Sequence, residues 1–194
     1  MKNSLGFDLR GLPYFLLRMP YYCEVPILEI PLDHLTLMQE RQSIIASFIK
    51  FYHGKRILEI GCGFLPIYPS LDAWEKVSCV DPVLKTEEKG NLTLLGMDFG
   101  GFHVEEGYDT VVILGLCAMG KKAFENIDSV LTCRSAETFI LEYSANLRTP
   151  IYAKRITNYL PGIHWKKRLE LDIEFPKSLK YNKRKIEVWR KVLR

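Results

Sequence analysis

A chain of 194 residues with 47% apolar and 26% charged side chains has the makeup of one ordinary globular domain and is too short for two full-sized ones. The longest apolar run, Thr110 to Met119, is about half of what a membrane-spanning helix needs, and no leader pattern opens the chain, so a cytoplasmic protein without membrane contact is expected. Net charge is +4 but uneven: residues 151–194 hold 13 Lys and Arg against 4 Asp and Glu, and residues 1–150 hold 14 against 19.

In chain order, residues 11–32 are rich in Pro, Tyr, Phe and Leu, and Pro13, Pro20, Pro26 and Pro31 rule out a long helix there. Apolar residues at Leu35, Leu37, Met38, Ile44, Ile45, Phe48 and Ile49 then follow helical spacing, which predicts one amphipathic helix over 33–52, closed near Gly54. Residues 1–54 are accordingly read as a lid segment with its helix, and 55–194 as the core. Short apolar strands are expected at Arg56–Ile60, Val77–Val80, Leu92–Leu95, Thr110–Leu114 and Thr138–Leu141. Helices are expected around Leu65–Glu75, across Lys121–Thr132 and over Thr149–Leu160, with a short turn after Pro82. Strands alternating with helices imply right-handed crossovers and a parallel sheet covered on both faces. Trp165–Phe175 and Lys183–Leu193 break that rhythm, because alternation such as Leu169, Leu171, Ile173, Phe175 reads as an antiparallel terminal pair.

The sharpest local signal is Ile57-Leu58-Glu59-Ile60-Gly61-Cys62-Gly63-Phe64-Leu65-Pro66. A buried strand runs into two glycines, which allow a tight turn and let a ligand lie against the backbone. In an open parallel sheet that loop sits at the switch point where ligands bind. A dinucleotide fingerprint needs a third glycine where Pro66 stands, so the nicotinamide reading weakens. Glu59, Gly61 and Gly63 resemble motif I of the class I S-adenosylmethionine-dependent methyltransferases, although Leu65 replaces that family's third small residue. Val77-Ser78-Cys79-Val80-Asp81 resembles its second strand, with a carboxylate 22 residues after Glu59. Gly96-Met97-Asp98-Phe99 and Tyr108-Asp109-Thr110-Val111-Val112-Ile113-Leu114 continue the likeness in order.

That resemblance implies a Rossmann-like, doubly wound α/β fold: a mostly parallel seven-stranded sheet, an antiparallel C-terminal hairpin and helices on both faces. It implies S-adenosyl-L-methionine as cofactor, held by Glu59, Gly61, Cys62, Gly63, Asp81, Pro82, Met97, Asp98, Phe99 and Leu114. Asp81 would accept from both ribose hydroxyls and Asp98 from the adenine amino group. A narrower likeness links Gly61–Pro66 and Leu114–Met119 to nicotianamine synthases, which move the aminocarboxypropyl arm of the same cofactor instead of its methyl.

Methyl transfer needs alignment more than a fixed catalytic residue, so the sequence reads the cofactor better than the reaction. Candidates for acceptor contact are positional: Glu142 and Tyr143 at the end of the fifth strand, and Tyr21 and Tyr22 in the lid. His34, His103 and His164 carry no evident pairing. Gly115-Leu116-Cys117-Ala118 lacks the Pro-Pro-aromatic turn of enzymes that methylate exocyclic amino groups of bases. A small-molecule acceptor is expected, since no separate recognition domain is present. RNA binding through the basic final quarter, or a cofactor-binding subunit that needs a partner, are the alternatives. The five cysteines (Cys23, Cys62, Cys79, Cys117, Cys133) form no CxxC pair, and no metal is expected.

Overall fold

The computed structural model describes residues 43–63, 66–71, 73–103, 107–116, 121–145, 149–174 and 183–192. Eight strands form one sheet: β1 Arg56–Ile60, β2 Lys76–Val80, β3 Glu87–Lys89, β4 Leu92–Leu95, β5 Thr110–Leu116, β6 Thr138–Ser144, β7 Trp165–Glu174 and β8 Lys183–Lys191. Their spatial order is β3-β4-β2-β1-β5-β6-β8-β7. The five strands β4, β2, β1, β5 and β6 pair in parallel, whereas β3 pairs antiparallel with β4, and β8 antiparallel with β6 and β7. The order reverses at β1, which makes the carboxyl ends of β1, β2 and β5 the switch point.

Each central strand is buried on both faces, as parallel strands covered by crossovers must be. Leu58, Ile60, Val111, Ile113, Phe139 and Leu141 face one layer, formed by helices α2 (Lys121–Thr132) and α3 (Thr149–Tyr159). In α2 the apolar stripe Ala123, Ile127, Val130, Leu131 keeps helical spacing and lies on that core. Lys191 Nζ donates to the Cys133 carbonyl (2.5 Å), beside the last turn of α2, where a cation suits the helix dipole. Ile57, Val77, Cys79, Val112, Ile140, Ile186 and Val188 face the opposite layer. There the described part of α1, residues 43–49, buries Ile45, Ala46 and Ile49 against the sheet. The lid helix thus belongs, over its described turns, to the core; residues 33–42 lie outside the described residues.

Two connections differ from the sequence expectation. In place of a helix over Leu65–Glu75, the described residues hold only a 3-10 turn at Tyr68–Ser70. Pro66 and Pro69 explain this, since each removes a backbone donor and Pro69 falls inside the expected helix. After β2, the chain makes an Asp81–Leu84 turn and adds β3, so the sheet has eight strands instead of seven. Lys89 pairs with Leu92 across Gly90-Asn91, with Gly90 at φ +59°, the left-handed geometry of a tight hairpin turn.

The amino edge of the sheet is tied by Asp109. Its Oδ2 accepts from the Lys55 and Arg56 amides (3.0 and 3.1 Å), and its Oδ1 accepts from Thr110 Oγ1 (2.8 Å). The Gly54 amide in turn donates to Thr110 Oγ1 (2.7 Å). A Cβ on Gly54 would overlap the Asp109 carboxylate, which these bonds hold in place. Gly54→Ala is expected to destabilise the fold by about 2 kcal/mol through overpacking. That corresponds to a thermal midpoint roughly 4–8 °C lower in a calorimetric scan. An unchanged midpoint would show that the knot yields freely.

Candidate functional site at the carboxyl edge of the sheet

The loop after β1 starts by extending the ladder, with the Gly61 amide donating to the Val80 carbonyl (3.0 Å). Gly61 and Gly63 then take φ +73° and +59°, a region that L side chains seldom adopt. A Cβ on Gly63 would meet nothing within 4 Å, so this turn faces open space. Phe64 and Leu65 lie outside the described residues.

Glu59 sits beneath this loop, not in it. It is fully buried, and both carboxyl oxygens accept from the Ile67 amide (3.1 and 3.0 Å). The Cys79 thiol donates to Oε2 (3.5 Å). Burial pushes the Glu59 carboxyl up to about 8, against the lowering effect of the Ile67 amide and Cys79 thiol. Glu59 therefore anchors the far end of the loop from beneath. Cys62 is buried as well; burial first, then the neighbouring Cys79 thiol, push its own thiol well above the usual range.

Asp81 ends β2 beside the loop. Its Oδ2 accepts from the Gly63 amide (2.9 Å) and its Oδ1 from the Val83 amide (3.0 Å). Each oxygen keeps a second lone pair for a further donor. At 2% exposure, Asp81 lies just under the surface, and burial raises its pKa despite the two amides. Pro82 follows on the outside of the turn.

Asp98, after β4, is exposed and caps the 3-10 turn Phe99–Gly101 by accepting from the Gly100 amide (2.7 Å). Met97 is half-buried beside it. Phe99 is buried and stacks on Phe102 with centroids 5.5 Å apart. Asn126 of α2 binds the Phe99 and Phe102 carbonyls (2.7 and 2.8 Å) and holds that turn in the core. Phe99 thus supports the site from behind. On the other side of β1, Leu114 is buried, and its carbonyl would lie 3.3 Å from a Cβ on Gly61.

Glu142 and Tyr143 do end β6 at this edge, but both are engaged. Glu142 is fully buried against Arg184 of β8. The Tyr143 hydroxyl donates to Glu187 Oε1 (3.1 Å), and burial followed by Glu187 pushes the phenol further from ionising. Tyr21, Tyr22 and His34 lie outside the described residues. His103 is exposed, and His164 closes the turn after α3 at φ +67°. Arg184 was absent from the sequence-based site and had no signal beyond an interruption of strand alternation.

Several basic residues of the final quarter have internal partners. Lys167 and Lys185 pair with Glu170, Lys191 binds backbone carbonyls, Arg190 binds the Tyr52 carbonyl, and Arg155 lies over the Phe124 ring. Among the described residues, no group of three or more His, Cys, Asp or Glu side chains has the arrangement of a metal site. No helix among them is long and apolar enough to cross a membrane.

No family model matches the sequence, and no curated protein matches it either. Solved structures do. The N-methyltransferase NodS from Bradyrhizobium japonicum WM9, in complex with S-adenosyl-L-homocysteine, aligns at a TM-score of 0.60 and 12% identity, over 81% of this chain and 88% of that one. The methyltransferase domain of bacterial CtHen1 aligns at 0.59 and 14%, over 81% and 100%. Magnesium protoporphyrin IX methyltransferase from Synechocystis PCC 6803, with bound S-adenosylmethionine, aligns at 0.57 and 14%, over 82% and 83%. This chain has the Rossmann-like fold of the S-adenosylmethionine-dependent methyltransferases. At such identities the likeness speaks for the fold, and the residues at the edge of the sheet have to speak for the chemistry.

Proposed function

We propose that this chain is an S-adenosyl-L-methionine-dependent methyltransferase of the cytoplasm that acts on a small-molecule acceptor. The observation that carries this reading is one juxtaposition at the ends of the adjacent strands β1, β2 and β4. The open turn at Gly63, the Asp81 carboxylate bonded to that same turn, and the exposed Asp98 stand along one edge. Two carboxylates in line beside a backbone cradle suit a ribose and an adenine amino group, because both ligands offer donors and a carboxylate offers only acceptors.

When bound, the sulfonium cofactor supplies an activated methyl group with its leaving charge in place. The chain's own tasks are then to hold, align and exclude water. Asp81 accepts from the ribose hydroxyls while it keeps the Gly63 turn in shape, and Asp98 accepts from the adenine amino group beside Met97. Gly61 and Gly63 admit the cofactor against the backbone, with Cys62, Pro82 and Leu114 lining the same edge. Glu59 and Phe99 support that edge from within. The division into a lid segment with its helix over residues 1–54 and a core over 55–194 is part of the same proposal. With several of the basic residues engaged by internal partners, a small acceptor is proposed in preference to RNA.

Calorimetric titration with S-adenosyl-L-methionine tests the reading, with Gly63→Ala as the companion variant. Wild type is expected to bind. Gly63→Ala is expected to lose about 1 kcal/mol of stability from its left-handed φ, yet to lose binding far more, because the added methyl occupies the cradle. Absence of binding by folded wild-type protein would sink the proposal. Product analysis separates the chemistries: S-adenosylhomocysteine marks methyl transfer, and methylthioadenosine marks aminocarboxypropyl transfer. Tight binding without turnover would point to a partner-dependent subunit.

A further inference from the structure

Strand β5 does not stay in register to its end. Pairing with β6 runs from Thr110 opposite Thr138 to Ile113 opposite Leu141, and resumes only at Leu116 opposite Tyr143. Two residues of β5, Leu114 and Gly115, therefore stand against one residue of β6, Glu142. This is a bulge, which releases a backbone amide from the ladder and re-aims the strand. Gly115 takes φ +64° there.

The residue opposite the bulge receives that amide. Gly115 N–H donates to Glu142 Oε2 (2.7 Å). The Glu142 carboxylate is gripped in turn by Arg184 of β8, whose Nε meets Oε1 and whose Nη2 meets Oε2 at 2.5 Å. Glutamate and arginine are 0% and 1% exposed. A buried ion pair of this kind gives little stability that two apolar side chains of similar volume would not give equally well. Its geometry does what apolar packing cannot, because it supplies an oriented acceptor to one backbone amide.

The bulge lies where the proposed cofactor site needs a wall. The Leu114 carbonyl approaches Gly61 of the glycine loop, and a Cβ on Gly115 would meet nothing within 4 Å. In the strand order β4-β2-β1-β5, the adenosine contacts fall on the β4–β2 side and the bulge on the opposite side of β1. Resting on the methyltransferase reading, we infer that Glu142, locked by Arg184, is a positioning residue that fixes the Leu114–Gly115 bulge as the wall beside the amino-acid end of the cofactor. It acts through Gly115 and does not touch the reacting atoms.

Two variants separate positioning from simple stabilisation. Glu142→Leu combined with Arg184→Met removes both charges without leaving one buried alone, and Glu142→Gln keeps an acceptor oxygen for Gly115 but breaks the charge balance. For each, the thermal midpoint, amide exchange at Gly115, and calorimetric affinity for S-adenosylhomocysteine and for adenosine are measured. The double variant is expected to melt near wild type, to exchange Gly115 rapidly, and to bind S-adenosylhomocysteine about 10- to 100-fold more weakly through misplacement, with adenosine unaffected. Glu142→Gln is expected to melt lower while retaining Gly115 protection and most of the affinity. Wild-type affinity in the folded double variant, or affinity that simply follows the melting point, overturns the inference. Should the double variant not fold, Glu142→Gln decides: full affinity with Gly115 unprotected overturns it, and the two retained together support it. A wild-type protein that binds no S-adenosylhomocysteine overturns the functional reading itself, a result distinct from a binding wild type with an equally binding variant.

Discussion

Asp81→Ala is expected to abolish measurable binding of S-adenosyl-L-methionine in a calorimetric titration and to lower the unfolding free energy in a denaturant melt. Binding is expected to fall because the carboxylate is proposed to accept from both ribose hydroxyls, and bonds to a charged group contribute roughly 1.5–3 kcal/mol each. Two such bonds amount to on the order of 100-fold in affinity or more. The fold suffers because the Gly63 and Val83 amides lose their acceptor. A buried donor left without a partner costs about 1–3 kcal/mol. Asp81→Asn restores one acceptor oxygen but turns an amide group toward the remaining backbone donor. It should recover part of the stability and little of the binding. An alanine variant that remains folded and binds within a few-fold of wild type would remove Asp81 from the site.

The second large effect is a pH dependence of stability that runs opposite to the usual carboxylate behaviour. Glu59 ionises at the ordinary value of 4.5 in the unfolded chain and is pushed up to about 8 in the folded one. Between those limits the folded state holds a proton that the unfolded state has released. The contribution of this group is therefore complete below about pH 4.5 and is lost as pH rises through about 8. At about 1.4 kcal/mol per unit of pKa, the span is worth up to roughly 5 kcal/mol. Asp81, also raised, acts in the same direction. Thermal melts from pH 5.5 to 8.5 should show wild type losing stability with rising pH. Glu59→Gln, which keeps an oxygen for the Ile67 amide, should show a flatter profile and a higher midpoint at pH 8.5. Parallel curves would mean that Glu59 is ionised within the fold across this range.

Much of the scaffold was legible because its signals are local. Strand β1 and its two glycines, β2 ending in Asp81, and the stripe of α2 each announce themselves within about ten residues. What the sequence hid depends on neighbours distant along the chain. Nothing near Glu142 announces Arg184, which arrives from β8 more than forty residues later. The packing of Phe99 against Phe102 and the grip of Asn126 on that turn are likewise tertiary facts. The burial of Glu59 against the Ile67 amide also comes from packing and is not announced by the motif. Two local features of the sequence bear on the differences. Pro69 argues against a helix over Leu65–Glu75, and Gly90-Asn91 between extended segments signals the hairpin that adds β3.

That added strand has a consequence for how the molecule behaves among copies of itself. Without β3, the parallel sheet would end at β4, whose half-buried Leu92, Leu94 and Leu95 would line an open rim. With it, the rim consists of Glu87, Glu88 and Lys89, all exposed, on a strand of three residues. So short a strand offers few unpaired amides for a neighbour to recruit, and the charges on it resist being stripped of water. The far rim, β7, is longer, but a register break between Lys167 and Leu169 distorts it, and Lys166, Arg168, Glu170, Asp172 and Glu174 are exposed along it. Both described margins of the sheet thus carry features that discourage edge-to-edge growth: a very short charged strand at one and a charged strand with a register break at the other.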